Sequence, residues 1–192
     1  MLLVNDAPAP LIYADRTQIN AVVPFGVAGF KEATFVVRNK VGRLLAFTLP
    51  VAKASPGVFN PGVLNQDNTL NSQSNTAPLG SVIQIWGTGA GLVQPTPADG
   101  EFGMGLTRIP ETVQLMGRVP CFMCIYPTTF PLQLEYAGDA PWLVQGIFQI
   151  NARLPQEVPL ASYLITSAAL VTITIAGVDS PQFSVWVNAF PR

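Results

Sequence analysis

Gln18-Ile19-Asn20-Ala21, with Pro24 three residues on, returns as Gln149-Ile150-Asn151-Ala152 with Pro155. The echo extends in both directions. Upstream, Tyr13-Ala14-Asp15 is matched by Tyr136-Ala137-Gly138; downstream, Ala33-Thr34-Phe35-Val36-Val37 is matched by Val171-Thr172-Ile173-Thr174-Ile175. Each copy closes on an alternating stretch, Leu45-Phe47-Leu49 in one and Phe183-Val185-Val187 in the other. Self-similarity over such a span means two copies of one supersecondary unit. Alternation puts Ile19 and Ile150 on one face of a strand and the flanking Gln and Asn on the other. The copies are unequal, because residues 54–118 open the second and have no counterpart in the first.

Strand signals dominate the rest of the chain. Leu11-Tyr13, Gln18-Val23, Ala33-Arg38, Leu44-Val51, Ser81-Trp86, Glu111-Met116, Leu132-Tyr136, Gly146-Arg153, Leu170-Ala176 and Gln182-Asn188 carry alternating β-branched or aromatic residues. Gly, Pro, Asn or Asp bound most of them. No segment combines a 3.6-residue period with helix caps. Short strands at this spacing predict antiparallel sandwiches. Residues 1–53 form an incomplete unit that lacks its opening strand, and residues 54–192 form a complete one with an insertion near 118–132. The polar stretch from Asn60 to Pro78 reads as a hairpin, with Val63-Asn65 and Thr69-Asn71 flanking an Asp67-Asn68 turn.

Composition narrows the function classes. Charged residues make up 11% and the net charge is −1, with no basic cluster to neutralise phosphates, so nucleic acid is not an expected partner. Histidine is absent, which removes Ser-His and Cys-His nucleophile pairs and the commonest metal ligand. The uncharged run Pro159–Val178 is long enough to span a bilayer, but its second half alternates as a strand does, so no membrane span is expected. Met1-Leu2-Leu3 has neither the basic nor the apolar region of a signal peptide.

The local motifs have plain structural readings. Cys121-Phe122-Met123-Cys124 supplies two of the four ligands a structural zinc wants. A local disulfide, free buried thiols and an intermolecular bridge stay open, in that order of preference. Gly87-Thr88-Gly89-Ala90-Gly91 lacks the Gly-Lys-Ser/Thr ending and the helix of a phosphate loop, so it reads as a strand-to-loop bend. Asn65, Asp67, Asn68, Asn71, Asp99 and Glu101 match no calcium-loop spacing. Trp86 and Trp186 fall inside strands and belong to a core or inter-sheet role. Trp142, in a loop after Ala140-Pro141, is the candidate ligand contact. No catalytic residue, metal or cofactor is expected.

Several runs are similar to one family. Val4-Asn5-Asp6-Ala7-Pro8-Ala9-Pro10-Leu11-Ile12-Tyr13 and Thr17–Pro24 resemble the uncharacterised C-terminal domain of Solibacter-type acidobacterial secreted proteins. So do Ala54-Ser55-Pro56-Gly57-Val58-Phe59, Leu64-Asn65-Gln66-Asp67, Gly80–Gly89 and Tyr136-Ala137-Gly138 with Ala140-Pro141. The resemblance covers nearly the whole chain. It implies two tandem immunoglobulin-like β-sandwiches, extracellular or cell-surface placement and no known catalytic residues. In that family the first unit opens with its own Gly-Ser-x-Val-x-Ile/Leu-x-Gly strand; here the chain starts after it. The expectation is a non-enzymatic structural module that self-associates as a homo-oligomer or homopolymer, through an edge formed by Val4, Leu11, Ile12 and Tyr13, with the first unit completed by another chain or by an upstream segment. The rival expectation is a glycan- or surface-binding module at the end of a larger secreted protein.

Overall fold

A computed structural model of the protein describes residues 1–39, 41–42, 44–119, 128–157 and 168–188. The chain is all-β. Its early strands are β1 (Leu2–Val4), β2 (Ala7–Pro8), β3 (Leu11–Ala14), β4 (Ile19–Ala21), β5 (Glu32–Arg38) and β6 (Leu44–Pro50), with one 3-10 turn at Phe25–Val27. Then come β7 (Gly57–Leu64), β8 (Ala77–Pro78), β9 (Val82–Thr88), β10 (Val113–Val119), β11 (Thr128–Pro131) and β12 (Gln133–Asp139). The last are β13 (Ile147–Arg153), β14 (Ala168–Ile175), β15 (Val178–Asp179) and β16 (Phe183–Asn188).

The later strands build two facing sheets. One has the order β12-β13-β9-β7, and the other β11-β10-β14-β16-β8 with β15 beside β14. All pairings are antiparallel except β16 with β8. Ile83, Ile85, Phe148 and Ile150 from the first sheet pack with Leu115, Val171, Ile173 and Val185 from the second in a single buried cluster. Strict alternation produces this core. In β14, every second residue from Ala169 to Ile175 is buried, as the two-residue period of a strand requires. No helix among the described residues is long and apolar enough to cross a membrane.

The glycine run at 87–91 has a packing cause. A Cβ at Gly87 would overlap the Gly57 carbonyl oxygen, one at Gly89 that of Ser55, and one at Gly91 that of Lys53. The backbone of 53–57 runs against the glycine faces, so the bend is close-packed backbone. Asn68 takes φ 65° in the expected hairpin, where Leu64 bridges Leu70 and the Thr69 carbonyl accepts from the Asn65 amide at 2.8 Å.

Strands β1 to β6 repeat the plan of β10 to β16. The order β2-β1-β5-β6 parallels β11-β10-β14-β16, and β3-β4 parallels β12-β13. The copies agree in detail. Both hairpins carry a register shift one residue before the tyrosine, between Leu11 and Tyr13 and between Leu134 and Tyr136. In both, Ala pairs with Ile across the ladder, Ala14 with Ile19 and Ala137 with Ile150. The Gln-x-Asn phrase has its own cause: Gln18 Nε2 donates to Asn20 Oδ1 at 2.7 Å, and Gln149 Nε2 to Asn151 Oδ1 at 2.8 Å.

The copies also differ. The β1–β2 connection is a tight turn with Asn5 and Asp6 at φ 47° and 63°, the positive angles a two-residue hairpin loop needs. The corresponding β10–β11 connection is longer and holds the two cysteines. Cys121 and Cys124 lie outside the described residues. Strands β7, β8 and β9 have no counterparts among the described residues of 1–53. In the later sandwich β9 pairs along the whole of β13, from Ile147↔Thr88 to Arg153↔Val82, and β8 borders β16. In the early one, among the described residues, β4 pairs with β3 alone and β6 ends its sheet.

Candidate functional site

The feature that stands out is the open side of the early sandwich. Register places Leu2, Val4, Ala33, Phe35, Val37, Leu45, Phe47 and Leu49 on one face of its larger sheet, because each is directly opposite another of the set. Near β1 that face is covered, and Leu2, Val4, Ala9 and Ala33 are buried. Toward β6 it is bare. Leu45, Phe47 and Leu49 are 62%, 40% and 47% exposed, whereas Val185 and Val187 on β16 are 0% and 7% exposed. The Phe35 and Phe47 rings stack at 5.3 Å with planes 4° apart, forming a flat apolar floor. Across the opening, Ile19 on β4 is 39% exposed and Ile150 on β13 is 0% exposed. One residue in one repeated phrase is a core side chain in one copy and a surface side chain in the other.

Edge chemistry points the same way. The outer edge of β16 is occupied by β8 and by Asn71, whose Nδ2 donates to the Trp186 carbonyl at 2.7 Å while its Oδ1 accepts from the Trp186 amide at 2.7 Å. That side chain imitates a neighbouring strand. Among the described residues, β6 has no such cover and, from Leu44 to Pro50, no charged side chain. Unpaired, uncharged edges are templates for strand addition. The later sandwich touches the early one elsewhere. Phe25 N–H donates to Asp99 Oδ1 at 2.8 Å, and Gly100 and Gly146 lie close to Pro10 and Val22. These contacts hold residues on both flanks of the β3–β4 hairpin and leave Ile19 and β6 open.

The edge expected from sequence is partly relocated. Leu11, Ile12 and Tyr13 are exposed on β3, an outer strand in its hairpin just as β12 is in its sheet. Val4 is a correction: it is buried on β1, which has β2 on one side and β5 on the other, so it belongs to the interior. The vacated positions are beside β4 and β6, and Ile19, Leu45, Phe47 and Leu49 are the residues that line them. The repeat itself was the signal for Ile19, since its twin Ile150 sits on a strand with neighbours on both sides.

A second exposed apolar group lies on the loops of the later sandwich. Trp142 is 74% exposed, and Phe102, Met104 and Leu106, on the 102–106 segment that pairs with residues 142–144 through Phe102 and Gly103, are exposed as well. Trp142 N–H donates to the Gly103 carbonyl at 2.8 Å and Gly103 N–H to the Leu143 carbonyl at 2.7 Å. Trp142 takes φ 66°, an uncommon angle for a bulky residue. Asp139, buried beneath, fixes these loops. Its Oδ2 accepts from Gly105 N–H and its Oδ1 from Thr107 N–H, each at 2.9 Å. Tyr136 Oη donates to the Asp139 carbonyl at 2.7 Å, and Arg108 lies over the Tyr136 ring at 4.5 Å.

Burial pushes the Asp139 carboxyl up, but the donors of residues 104–107 outweigh it, and its pKa lies below the ordinary carboxylate value. A depressed pKa stabilises the fold above the unfolded-state value of about 3.9, and that stability is lost as pH falls through the folded value. Acidification below about pH 4 therefore loosens the 103–108 loop. Asp139→Ala strands the buried Thr107 amide and the part-buried Gly105 amide and costs about 3 kcal/mol. Hydrogen exchange at Gly105 and Thr107 checks both: the two amides should lose protection in the variant and on acidification.

Asp15 plays a local version of this part. It accepts from Tyr13 Oη at 2.7 Å and from the Thr17 and Gln18 amides at 2.7 Å each, which hold its pKa down to about 2.

Compared with known proteins, the chain matches no family model, no curated protein and no solved structure.

Proposed function

We propose that the protein is a non-enzymatic structural module whose early sandwich is finished by a strand from another polypeptide, so that copies associate into oligomers or a filament. The observation that carries this reading is the contrast along the repeat: Leu45, Phe47 and Leu49 lie bare where Val185 and Val187 lie buried. A sandwich with one layer shortened leaves apolar floor and unpaired edge together, and an added strand covers both at once. When the donor and the acceptor are different patches, the contact is heterologous and grows as an open fibre unless it closes into a ring. The two sandwiches are read as immunoglobulin-like, and the placement as extracellular or cell-surface, in keeping with the resemblance to acidobacterial secreted proteins.

Size-exclusion chromatography and negative-stain microscopy of the purified chain test the proposal. The expected result is assemblies that grow with concentration, with filaments at the high end. A single small species at every concentration would sink it.

Exposed Trp142, whose backbone bonds to Gly103 next to exposed Phe102, supports a second reading, a glycan- or surface-binding module, because an indole face stacks on sugar rings. On that reading Trp142→Ala abolishes binding on a glycan array and leaves assembly unchanged; retention of glycan binding by the variant would remove Trp142 from the site.

A further inference from the structure

The internal repeat specifies which strand fits the opening, since the later sandwich contains the same acceptor already filled. Resting on the assembly reading above, we infer that the opening beside β4 takes an uncharged extended segment, antiparallel to β4, with branched apolar side chains at the two positions opposite Ile19 and Ala21.

The register follows from the filled copy. There, Ile85 is opposite Ile150 and Ile83 opposite Ala152, both buried, while Gln84 is opposite Asn151 and Trp86 opposite Gln149 on the outer face. The shared register shift and the shared Gln-to-Asn hydrogen bond align Ile19 with Ile150, Asn20 with Asn151 and Ala21 with Ala152. The incoming strand therefore places apolar groups over Ile19, Ala21 and the Phe47 floor, and polar groups opposite Gln18 and Asn20. A slip of one residue would turn every side chain to the wrong face, so the register is demanding.

One requirement of the filled copy is relaxed. Gly87 is forced there because a Cβ would strike the Phe148 ring and the Gly57 carbonyl. The position aligned with Phe148 is Thr17, and no β7 runs behind, so the donor needs no glycine at that point. The absence of charge on β6 fits an apolar donor and disfavours an acidic or basic one.

The chain itself encodes a probe of this kind. A peptide with the sequence of residues 81–88, given lysines at both ends for solubility, is titrated into the full-length protein and followed by fluorescence anisotropy and sedimentation. Saturable one-to-one binding and dissociation of any assemblies are expected. Replacing the Ile83 and Ile85 positions of the peptide by Asp, or introducing Ile19→Asp or Leu45→Asp in the protein, should weaken binding roughly tenfold or more. A peptide with its alternation shifted by one residue should fail. Assemblies that persist under saturating peptide would overturn this strand assignment and leave self-association standing. A monomeric chain that binds the peptide would uphold the assignment and overturn self-association. A monomeric chain that binds no peptide would overturn both.

Discussion

Ile150→Ala should lower the stability of the later sandwich by about 4 kcal/mol, while Ile19→Ala should cost under about 1 kcal/mol. The two residues occupy the same place in the same phrase, pair with equivalent alanines and follow the same register shift. They differ in what lies beyond them. Ile150 is enclosed between Ile85 and Ala137 on the flanking strands, so its loss leaves a cavity that a close-packed core cannot refill. Ile19 faces the opening, so its loss removes contacts that are half made. A chain of two sandwiches need not unfold in one step, but the tryptophans provide a clean reporter. Trp86, Trp142 and Trp186 all lie in the later sandwich, so tryptophan fluorescence in urea follows that sandwich alone. Its midpoint should fall sharply for Ile150→Ala and stay put for Ile19→Ala. Hydrogen exchange at the amides of β3 to β5 follows the early sandwich, where Ile19→Ala should cost under about 1 kcal/mol; a loss of about 4 kcal/mol there would mean that Ile19 is as enclosed as Ile150 and that the opening is closed in solution.

Gly89→Ala should be as damaging, by about 4 kcal/mol. Gly89 has φ +85°, and an added Cβ would overlap the Ser55 carbonyl oxygen, which is backbone and cannot swing aside. Gly177→Ala is the control. It has a comparable positive φ of +79° but open space where its Cβ would go, so it carries only the conformational cost of about 1 kcal/mol. Urea denaturation of the pair separates the terms. If the two variants lose the same stability, the close approach of residues 53–57 to the glycine run is not a structural constraint.

The sequence made most strands legible because their side chains alternate and their ends carry turn residues. The repeat showed that β4 and β13 are twins and that residues 1–53 carry no copy of the Ser81–Trp86 strand. Other elements were hidden for physical reasons. β7 carries Pro61 and Gly62, which read as breakers, and its ladder does break off between Val58 and Val63. β1 is three residues long and sits against the first residue of the chain, with no window over which to judge a period. Its following turn, Asn5-Asp6, is a hairpin signal of the same kind as Asp67-Asn68. Val4 lies in the interior because β1, the twin of β10, has a strand on each side. Exposure of Leu45, Phe47 and Leu49 could not be read from alternation, which gives the face of a strand but not what covers that face.

Sedimentation velocity of the 192-residue chain across the micromolar range, beside a Phe47→Lys variant, tests the central claim most directly. A lysine on the floor of the opening would be left unpaired under an incoming strand, so it should block the contact while costing the free chain little. Wild-type chain should sediment as species that grow with concentration, and the variant as a folded monomer. A wild-type chain that remains a stable, well-folded monomer throughout would contradict completion of the early sandwich by another polypeptide of the same kind.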